Sequence, residues 1–117
     1  MAIPTNIRFD ESYVLELRLE PYRLFLRMDF ALGSSHPKYA APDSDERECF
    51  RRGSIEIANF HKATWHASGI RTTHDATGEI DFGRLDEFAV SGEVWQLTGD
   101  WGVIELEGGK LSLTIDS

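Results

Sequence analysis

The chain begins with two stretches in which hydrophobic and polar residues alternate, 13-YVLELRLE-20 and 22-YRLFLRMDFAL-32. In the first, Tyr13, Leu15, Leu17 and Leu19 share one side of an extended chain. The second has Tyr22, Leu24, Leu26, Met28, Phe30 and Leu32 on one side. Because successive side chains of a strand face opposite ways, this period predicts two half-buried strands separated by Pro21. We expect an antiparallel hairpin with Leu15, Leu17, Leu24, Leu26, Met28 and Phe30 in the core.

A third alternating stretch begins at Gly53, where Ile55 and Ile57 are expected to face inward. Phe60 falls on the opposite parity from Ile57. A β-bulge near Asn59 restores the alternation, because one extra residue exchanges the two faces of a strand. The following segment, 67–79, is rich in Gly, Ser, Thr and Asp and is predicted to be a loop.

The C-terminal part predicts more strands with short connections. Ile80 and Phe82 are expected in a short strand, and the spacing of Leu85, Phe88 and Ala89 favours a single helical turn. Three strands are predicted at residues 94–98, 103–107 and 111–115. Gly99-Asp100 and Gly108-Gly109 are expected to form the two turns between them, because glycine accommodates the backbone of tight hairpins.

These elements add up to about seven strands and at most one short helix. They predict an all-β, mainly antiparallel fold in one domain spanning residues 1–117, either a sandwich or a partly open barrel. No apolar run reaches the ~18 residues that cross a bilayer, and the N-terminus lacks the pattern of a secretory signal. A single cysteine cannot form an internal disulfide, so a cytoplasmic location and no membrane association are expected.

The net charge of −8 is concentrated in one part of the chain. Residues 1–74 contain ten acidic and ten basic residues, whereas residues 75–117 contain ten acidic residues against Arg84 and Lys110. This balance argues against nucleic-acid binding, which requires cations to offset phosphate charge. It permits a basic protein partner, and Glu105 and Glu107, which alternate outward on one predicted strand, are the candidate acidic partner surface.

The stretch 34-SSHPKYAAPDSDERECFRRG-53 concentrates the residues that could carry chemistry. Catalysis by Cys49 with His36 is one reading, but no spacing typical of a cysteine hydrolase surrounds the thiol. The potential metal ligands His36, Glu48, Cys49, His61, His66 and His74 lack the paired spacing of zinc sites. Residues 75-DATGEID-81 lack ligand positions of a calcium loop. We therefore predict no catalytic residue, no metal and no cofactor.

The same stretch is better explained as an ordered binding or capping loop. Pro37 and Pro42 restrict its backbone, and its aromatic residues can anchor it on the sheet. Loops of about twenty residues in compact domains are usually functional or disordered. The candidate binding residues are His36, Tyr39, Glu48, Cys49 and Arg51. Trp65, Trp95 and Trp101 are expected in the core, with a ligand cavity as the alternative.

Several short motifs resemble a family of small, uncharacterised bacterial β-rich proteins. They are His36-Pro37-x-Tyr39, the run Glu48-Cys49-Phe50-Arg51-x-Gly53, 75-DATGEIDFG-83 and 99-GDWG-102. The resemblance spans most of residues 7–115 and implies a β-rich fold without an assigned activity. In its β-rich layout and acidic charge the chain is also similar in style to immunity proteins of bacterial toxin systems.

Three functions compete on this basis. The first is a non-enzymatic binding or interaction protein, including an immunity-like one. The second is a sandwich that binds a small ligand through its tryptophans and the 34–53 loop, and the third is an enzyme of unrecognised type that uses Cys49 and His36. We favour the first, because no catalytic signature is present. The sequence leaves the ligand, the partner and the oligomeric state open.

Overall fold

The computed structural model describes residues 3–41, 48–66, 73–74 and 80–116. The longer described strands coincide with stretches of alternating or apolar sequence. The strands are β1 (Ile7–Glu20), β2 (Arg23–Leu32), β3 (Cys49–His66), β4 (Thr73–His74), β5 (Ile80–Asp81), β6 (Leu85–Ser91), β7 (Val94–Gly99) and β8 (Gly102–Ile115). None of these ranges contains a helix that is long and apolar enough to cross a membrane.

Six of the strands form one antiparallel sheet in the order β1-β2-β3-β8-β7-β6, and β4 pairs with β5 separately. The sheet curls strongly into a half-barrel. Its two edges meet where Tyr13 forms a bridge with Arg84 and the N–H of Val14 donates to the C=O of Gly83 at 2.8 Å. The all-β expectation is confirmed, and the curled sheet corresponds to the partly open barrel.

The predicted hairpin is confirmed as β1 and β2, in which Leu17 pairs with Leu26 and Leu19 with Leu24. The alternating residues of β2 that face the inside of the curl are buried. They are Leu24, Leu26, Met28, Phe30 and Leu32. Their burial removes apolar surface from water on one face only, which is why the period-two pattern identifies the strand so clearly.

β1 begins at Ile7, before the predicted stretch 13–20, and the inward face predicted for Tyr13 and Leu15 is wrong. A register shift between Val14 and Glu16 makes Leu15 a bulge, which exchanges the faces of the strand. Val14 therefore pairs with Met28 and is buried, whereas Tyr13 pairs with Asp29 on the outer face. Leu15 itself is only partly buried. Tyr22, predicted inside, lies in the turn after β1 and is 72% exposed.

The pairing of β1 with β2 has a second irregularity, between Arg8 and Tyr13. Fully buried Ser12 repairs the ladder there: its hydroxyl donates to the C=O of Arg8 at 2.9 Å and accepts from the N–H of Ala31 at 2.9 Å. The irregularity carries Phe9 into the core, where its ring meets Phe88 edge-on at 5.1 Å. A buried serine thus replaces backbone pairing that the bulged strand cannot supply.

The two longest central strands bend together at one point. Asn59 in β3 has a φ of 64°, and Gly108 and Gly109 opposite it in β8 have φ values of 78° and 95°. Ile57 and Phe60 are both buried, but the register shift of β3 lies between Phe60 and Lys62, so the extra residue is His61, two positions after the bulge predicted near Asn59. The predicted hairpin turn at Gly108-Gly109 is wrong, since β8 continues through it. Positive φ at both glycines bends a paired strand here instead of reversing it.

The predicted helical turn at Leu85, Phe88 and Ala89 is also wrong, because these residues belong to β6. A register shift between Leu85 and Glu87 adds one residue to the strand. Leu85 and Phe88 therefore reach the same face although they are three positions apart. A bulge and a helical turn produce the same spacing, and the sequence alone does not separate them. The turn predicted at Gly99-Asp100 does connect β7 and β8.

Candidate functional site

The connection after β2 is a folded segment held by its own backbone. Gly33 donates to the C=O of Asn6 at 2.8 Å, His36 donates to the C=O of Gly33 at 3.0 Å, and Tyr39 donates to the C=O of His36 at 3.0 Å. Tyr39 is partly buried against the hydrophobic core. The described part of the connection, up to residue 41, is therefore ordered by successive turns and by one aromatic anchor.

The thiol of Cys49 and the imidazole of His36 each accept a hydrogen bond from a different backbone N–H of this segment. Cys49 is a free, buried cysteine whose Sγ accepts from the N–H of Ala40 at 3.5 Å. Nδ1 of His36 accepts from the N–H of Lys38 at 3.0 Å. A hydrogen bond between Cys49 and His36, which the enzyme hypothesis requires, is not among those made by the described residues. Both side chains thus stabilise the loop.

Glu48 also has a structural partner. Its carboxylate accepts from Nη1 of Arg8 at 2.6 Å, and its side chain is only 15% exposed. This pair fastens the entry of β3 to β1, forty residues earlier in the chain. Four of the five predicted binding residues, all except Arg51, are thus engaged within the protein.

Arg51 differs from the other four. It is exposed, and within the described part of the chain its guanidinium has no acidic partner. Its neighbour Arg52 is 62% exposed and lies 3.8 Å from Asp29, too far for a strong hydrogen-bonded pair. Phe50 is 38% exposed and leans on Tyr13 with ring centroids 5.9 Å apart. Two exposed arginines and an aromatic ring are therefore consecutive on one strand.

These three residues lie where β3 loses one of its neighbours. Residues 49–52 pair with β2, but the register of β3 with β8 ends at Gly53 and Ile115. The last contact is from the N–H of Asp116 to the C=O of Arg52 at 2.8 Å. An open groove of about 440 Å³ occupies this place, and we name it the notch; its lining residues are Asp29, Phe50, Arg51, Arg52 and Asp116.

Positive charge predominates at the notch although the protein as a whole is acidic. The guanidinium of Arg27 donates two hydrogen bonds to Asp116, one of 3.1 Å, and this holds the pKa of that carboxyl below its ordinary value. Lys38, whose Nζ lies 3.5 Å from the C=O of Ile115, and Arg52 lower the pKa of Asp116 further. The lining itself holds two arginines and two aspartates, and Arg27 and Lys38 add two cations at its border through Asp116 and the C=O of Ile115.

The predicted acidic surface lies elsewhere on the sheet. Glu105 and Glu107, named here the acidic strip, alternate with the buried Ile104 and Leu106 along β8 and are partly exposed. Glu107 pairs across the ladder with Lys62, and the two charges are 3.5 Å apart. Glu105 lies 3.8 Å from Nε2 of His66. Each acid of the strip therefore has a basic or titratable neighbour from β3.

The tryptophans divide between core and surface. Trp95 and Trp101 are buried, as predicted, and the indole N–H groups of both lack a hydrogen-bond partner among the described residues. Trp65 is 43% exposed at the far end of β3, and its N–H donates to the C=O of Trp101 at 2.8 Å. Only Trp65 therefore offers a broad accessible surface to a ligand.

Within the described ranges no group of three His, Cys, Asp or Glu side chains is placed to hold a metal ion. The side chain of His74 and the calcium-like segment 75–79 lie outside the described residues. Sequence reasoning identified Arg51 but missed Lys38, Asp29, Arg52 and Asp116. Asp29 alternates with the apolar residues of β2, and nothing local signals that Asp116 returns to the start of β3.

No protein-family model matches the chain, and neither does a curated protein or a solved structure. The resemblance to small bacterial β-rich proteins therefore stays a prediction.

Proposed function

We propose that this protein is a non-enzymatic binding protein that engages a protein partner at the notch. The observation that carries the proposal is Arg51: of the predicted binding residues it alone has no partner among the residues that the structure describes, and it lies in an open groove beside the partly exposed ring of Phe50. Arginine and aromatic residues supply a large share of the energy at protein interfaces, because they combine apolar area with directed hydrogen bonds.

A protein partner fits the notch better than a small molecule does. Small-ligand sites usually enclose most of the ligand surface and are lined mainly by apolar groups. The notch is open, and four of its five lining residues are charged. A standard interface buries about 800 Å² on each partner, so the notch would form one anchor within a larger contact that includes Tyr13 and Arg84 next to Phe50 on the outer face.

The acidic strip supports a second interaction surface, for a basic protein partner. Glu105 and Glu107 face outward together, as that hypothesis requires. Lys62 and His66 lie close to them and offset part of the negative field, so the strip offers weaker electrostatic steering than two free carboxylates would. An immunity-like role, in which the partner is a toxin protein, is one form of the proposal.

The test is capture from an extract of the source organism, identification of the captured protein, and measurement of its affinity with purified components. Arg51→Glu changes the notch, and Lys110→Glu makes the same charge change at an exposed position on β8 outside it. We expect Arg51→Glu to weaken binding by about tenfold or more, because the partner would then face a negative charge where the complex buries the arginine side chain. Equal affinities for the two variants would refute the proposal.

A further inference from the structure

We infer that the notch accepts an extended acidic segment of the partner as an additional β-strand beside residues 49–51 of β3, next to the point where Asp116 hydrogen-bonds Arg52. The inference rests on the proposed function and specifies the class of partner. It begins with the backbone of β3, which has β2 on one side of these residues and no strand on the other within the described chain.

Two hydrogen bonds fix which backbone groups face the open side. In an antiparallel ladder the N–H and C=O of one residue point to the same neighbour, and the next residue points the other way. The C=O of Arg52 accepts from Asp116, so Arg52 faces the β8 side, and Phe50, two residues earlier, faces that side too. Independently, the N–H of Ala31, which pairs with Phe50, points away from it to Ser12. The N–H and C=O of Phe50 therefore face the notch.

The open position is long enough for a short strand. Residues 49–51 extend about 10 Å at ~3.3 Å per residue, which accommodates about three residues of an incoming chain. An added strand there would run antiparallel to β3 and continue the line of β8. Addition of a strand to an exposed edge is an established mode of peptide recognition, in which backbone hydrogen bonds give affinity and alternating side chains give selectivity.

The side chains next to this edge favour an acidic strand. Arg51 pairs with Phe30 in the ladder and so belongs to the inner-face row, whereas Arg52 pairs with Asp29 in the outer-face row. An incoming strand therefore meets an arginine on each of its faces. Asp116, which would repel an acidic chain, is already neutralised by Arg27 and flanked by Lys38. Charge complementarity therefore favours a partner segment with carboxylates at adjacent positions, one for each face of the strand.

A competing explanation is that the cations only protect the edge. Charged side chains on exposed strands prevent edge-to-edge aggregation in many proteins. That explanation predicts no affinity for an acidic peptide, and it predicts aggregation when the arginines are replaced by neutral residues.

The experiment measures binding of a synthetic peptide of about seven residues, Val-Val-Glu-Glu-Glu-Val-Val, whose adjacent carboxylates face both sides of the added strand and whose length covers the open edge with margins. Its controls are a Lys version and a version with alternate backbone nitrogens methylated, which cannot donate ladder hydrogen bonds. We expect the Glu peptide to bind, and Arg51→Glu, the Lys version and the methylated version each to weaken binding by about tenfold or more. Lys110→Glu should leave the affinity unchanged.

Amide hydrogen exchange provides a second measurement that electrostatic attraction alone would not affect. The bound peptide should slow exchange at Phe50 by about tenfold or more, since its N–H gains an acceptor. Equal binding of the methylated peptide, or unchanged exchange at Phe50, would overturn strand addition. If the captured partner still required Arg51 in that case, the proposed function would stand and only this inference would fail.

The acidic residues 43, 45 and 46 of the same chain are the rival occupant. The variant with Asp43→Asn, Asp45→Asn and Glu46→Gln tests this directly. Unchanged peptide affinity supports a separate partner. A rise of about tenfold or more would show that these residues compete for the notch and would overturn the assignment to a second protein.

Discussion

The notch, on β3, and the acidic strip, on β8, are both charged regions of the β3–β8 pair, and they differ in what lies beside them. Along the strip β8 is present, and its acids meet Lys62 and His66 from β3. At the notch β8 has ended, and Arg51 and Arg52 are left without a facing strand. Charge on a sheet is therefore satisfied internally where the neighbouring strand continues, and it is available to a partner where that strand stops.

The largest effect on the free energy of unfolding is expected at Phe30, which lies buried beneath the notch, in comparison with Arg51 on its surface. Phe30 and Arg51 are ladder partners, but Phe30 is fully buried and Arg51 is exposed. We expect Phe30→Ala to lower the free energy of unfolding by about 3–5 kcal/mol through cavity formation. Arg51→Ala should change it by less than about 0.5 kcal/mol. Urea unfolding of both variants measures the difference, and a large loss in Arg51→Ala would mean that this residue has a structural role.

The next prediction concerns the bend that keeps β8 beside β3 along the strip. Gly109 has a φ of 95°, and a Cβ there would lie 3.1 Å from the C=O oxygen of Ala58. We expect Gly109→Ala to destabilise the protein by about 1–3 kcal/mol. Gly92→Ala is the matched control, because Gly92 also has a positive φ, 59°, but no neighbour within 4 Å of such a Cβ. Its cost should stay near ~1 kcal/mol. Equal losses would remove the close contact from the explanation.

The ion pair between Arg27 and Asp116 at the notch should make the free energy of unfolding depend on pH. Arg27 lowers the pKa of Asp116 in the folded state. The stabilisation is therefore present above the unfolded-state pKa of ~3.9 and is lost as the pH falls through the lower folded pKa. We expect the stability difference between the wild type and Asp116→Asn to be greatest near neutral pH and to vanish in strong acid. In an Arg27→Gln background this pH dependence should largely disappear, and its persistence there would contradict the assignment to Arg27.

The smallest effect is expected at the strip. The pair between Lys62 and Glu107 is 3.5 Å long and both side chains are well exposed, so Glu107→Gln should change the free energy of unfolding by less than about 1 kcal/mol. High salt should reduce even that change.

For the basic-partner hypothesis, the double reversal Glu105→Lys and Glu107→Lys should weaken capture of a basic protein at low salt. If capture is unaffected, the strip has no binding role.

The sequence predicted the parts of the fold that depend on one strand at a time. The alternation from Leu24 to Leu32 identified β2 and its buried face without error, because that strand has no bulge. The errors at Leu15, Leu85 and Gly108-Gly109 share one cause. A bulge or a bend changes the face of all later residues, and its position depends on pairing with a strand that is distant in sequence.

The candidate site shows the same boundary between local and distant information. Arg51 and Glu48 could be named from the residue types around Cys49. The sequence did not show that Glu48 has a partner and that Arg51 has none among the described residues. That distinction depends on Arg8 reaching Glu48 from forty positions away and on β8 ending beside Arg52. Both are consequences of register between strands, which the pattern of a single strand does not contain.

The strand order has a consequence for how the chain folds. β1, β2 and β3 are neighbours both in sequence and in space, as are β6, β7 and β8, so each set of three can assemble through local hairpins. The two sets pair along β3 and β8, whose partners lie 37 positions apart at His66 and Val103 and 62 apart at Gly53 and Ile115, and they meet again where Tyr13 bridges Arg84. Non-local pairing of this kind slows folding, because the loop entropy is lost before the contacts form. The joining of β3 to β8 is therefore the step expected to set the folding rate, and until it occurs the whole edge of β3 is open to other chains.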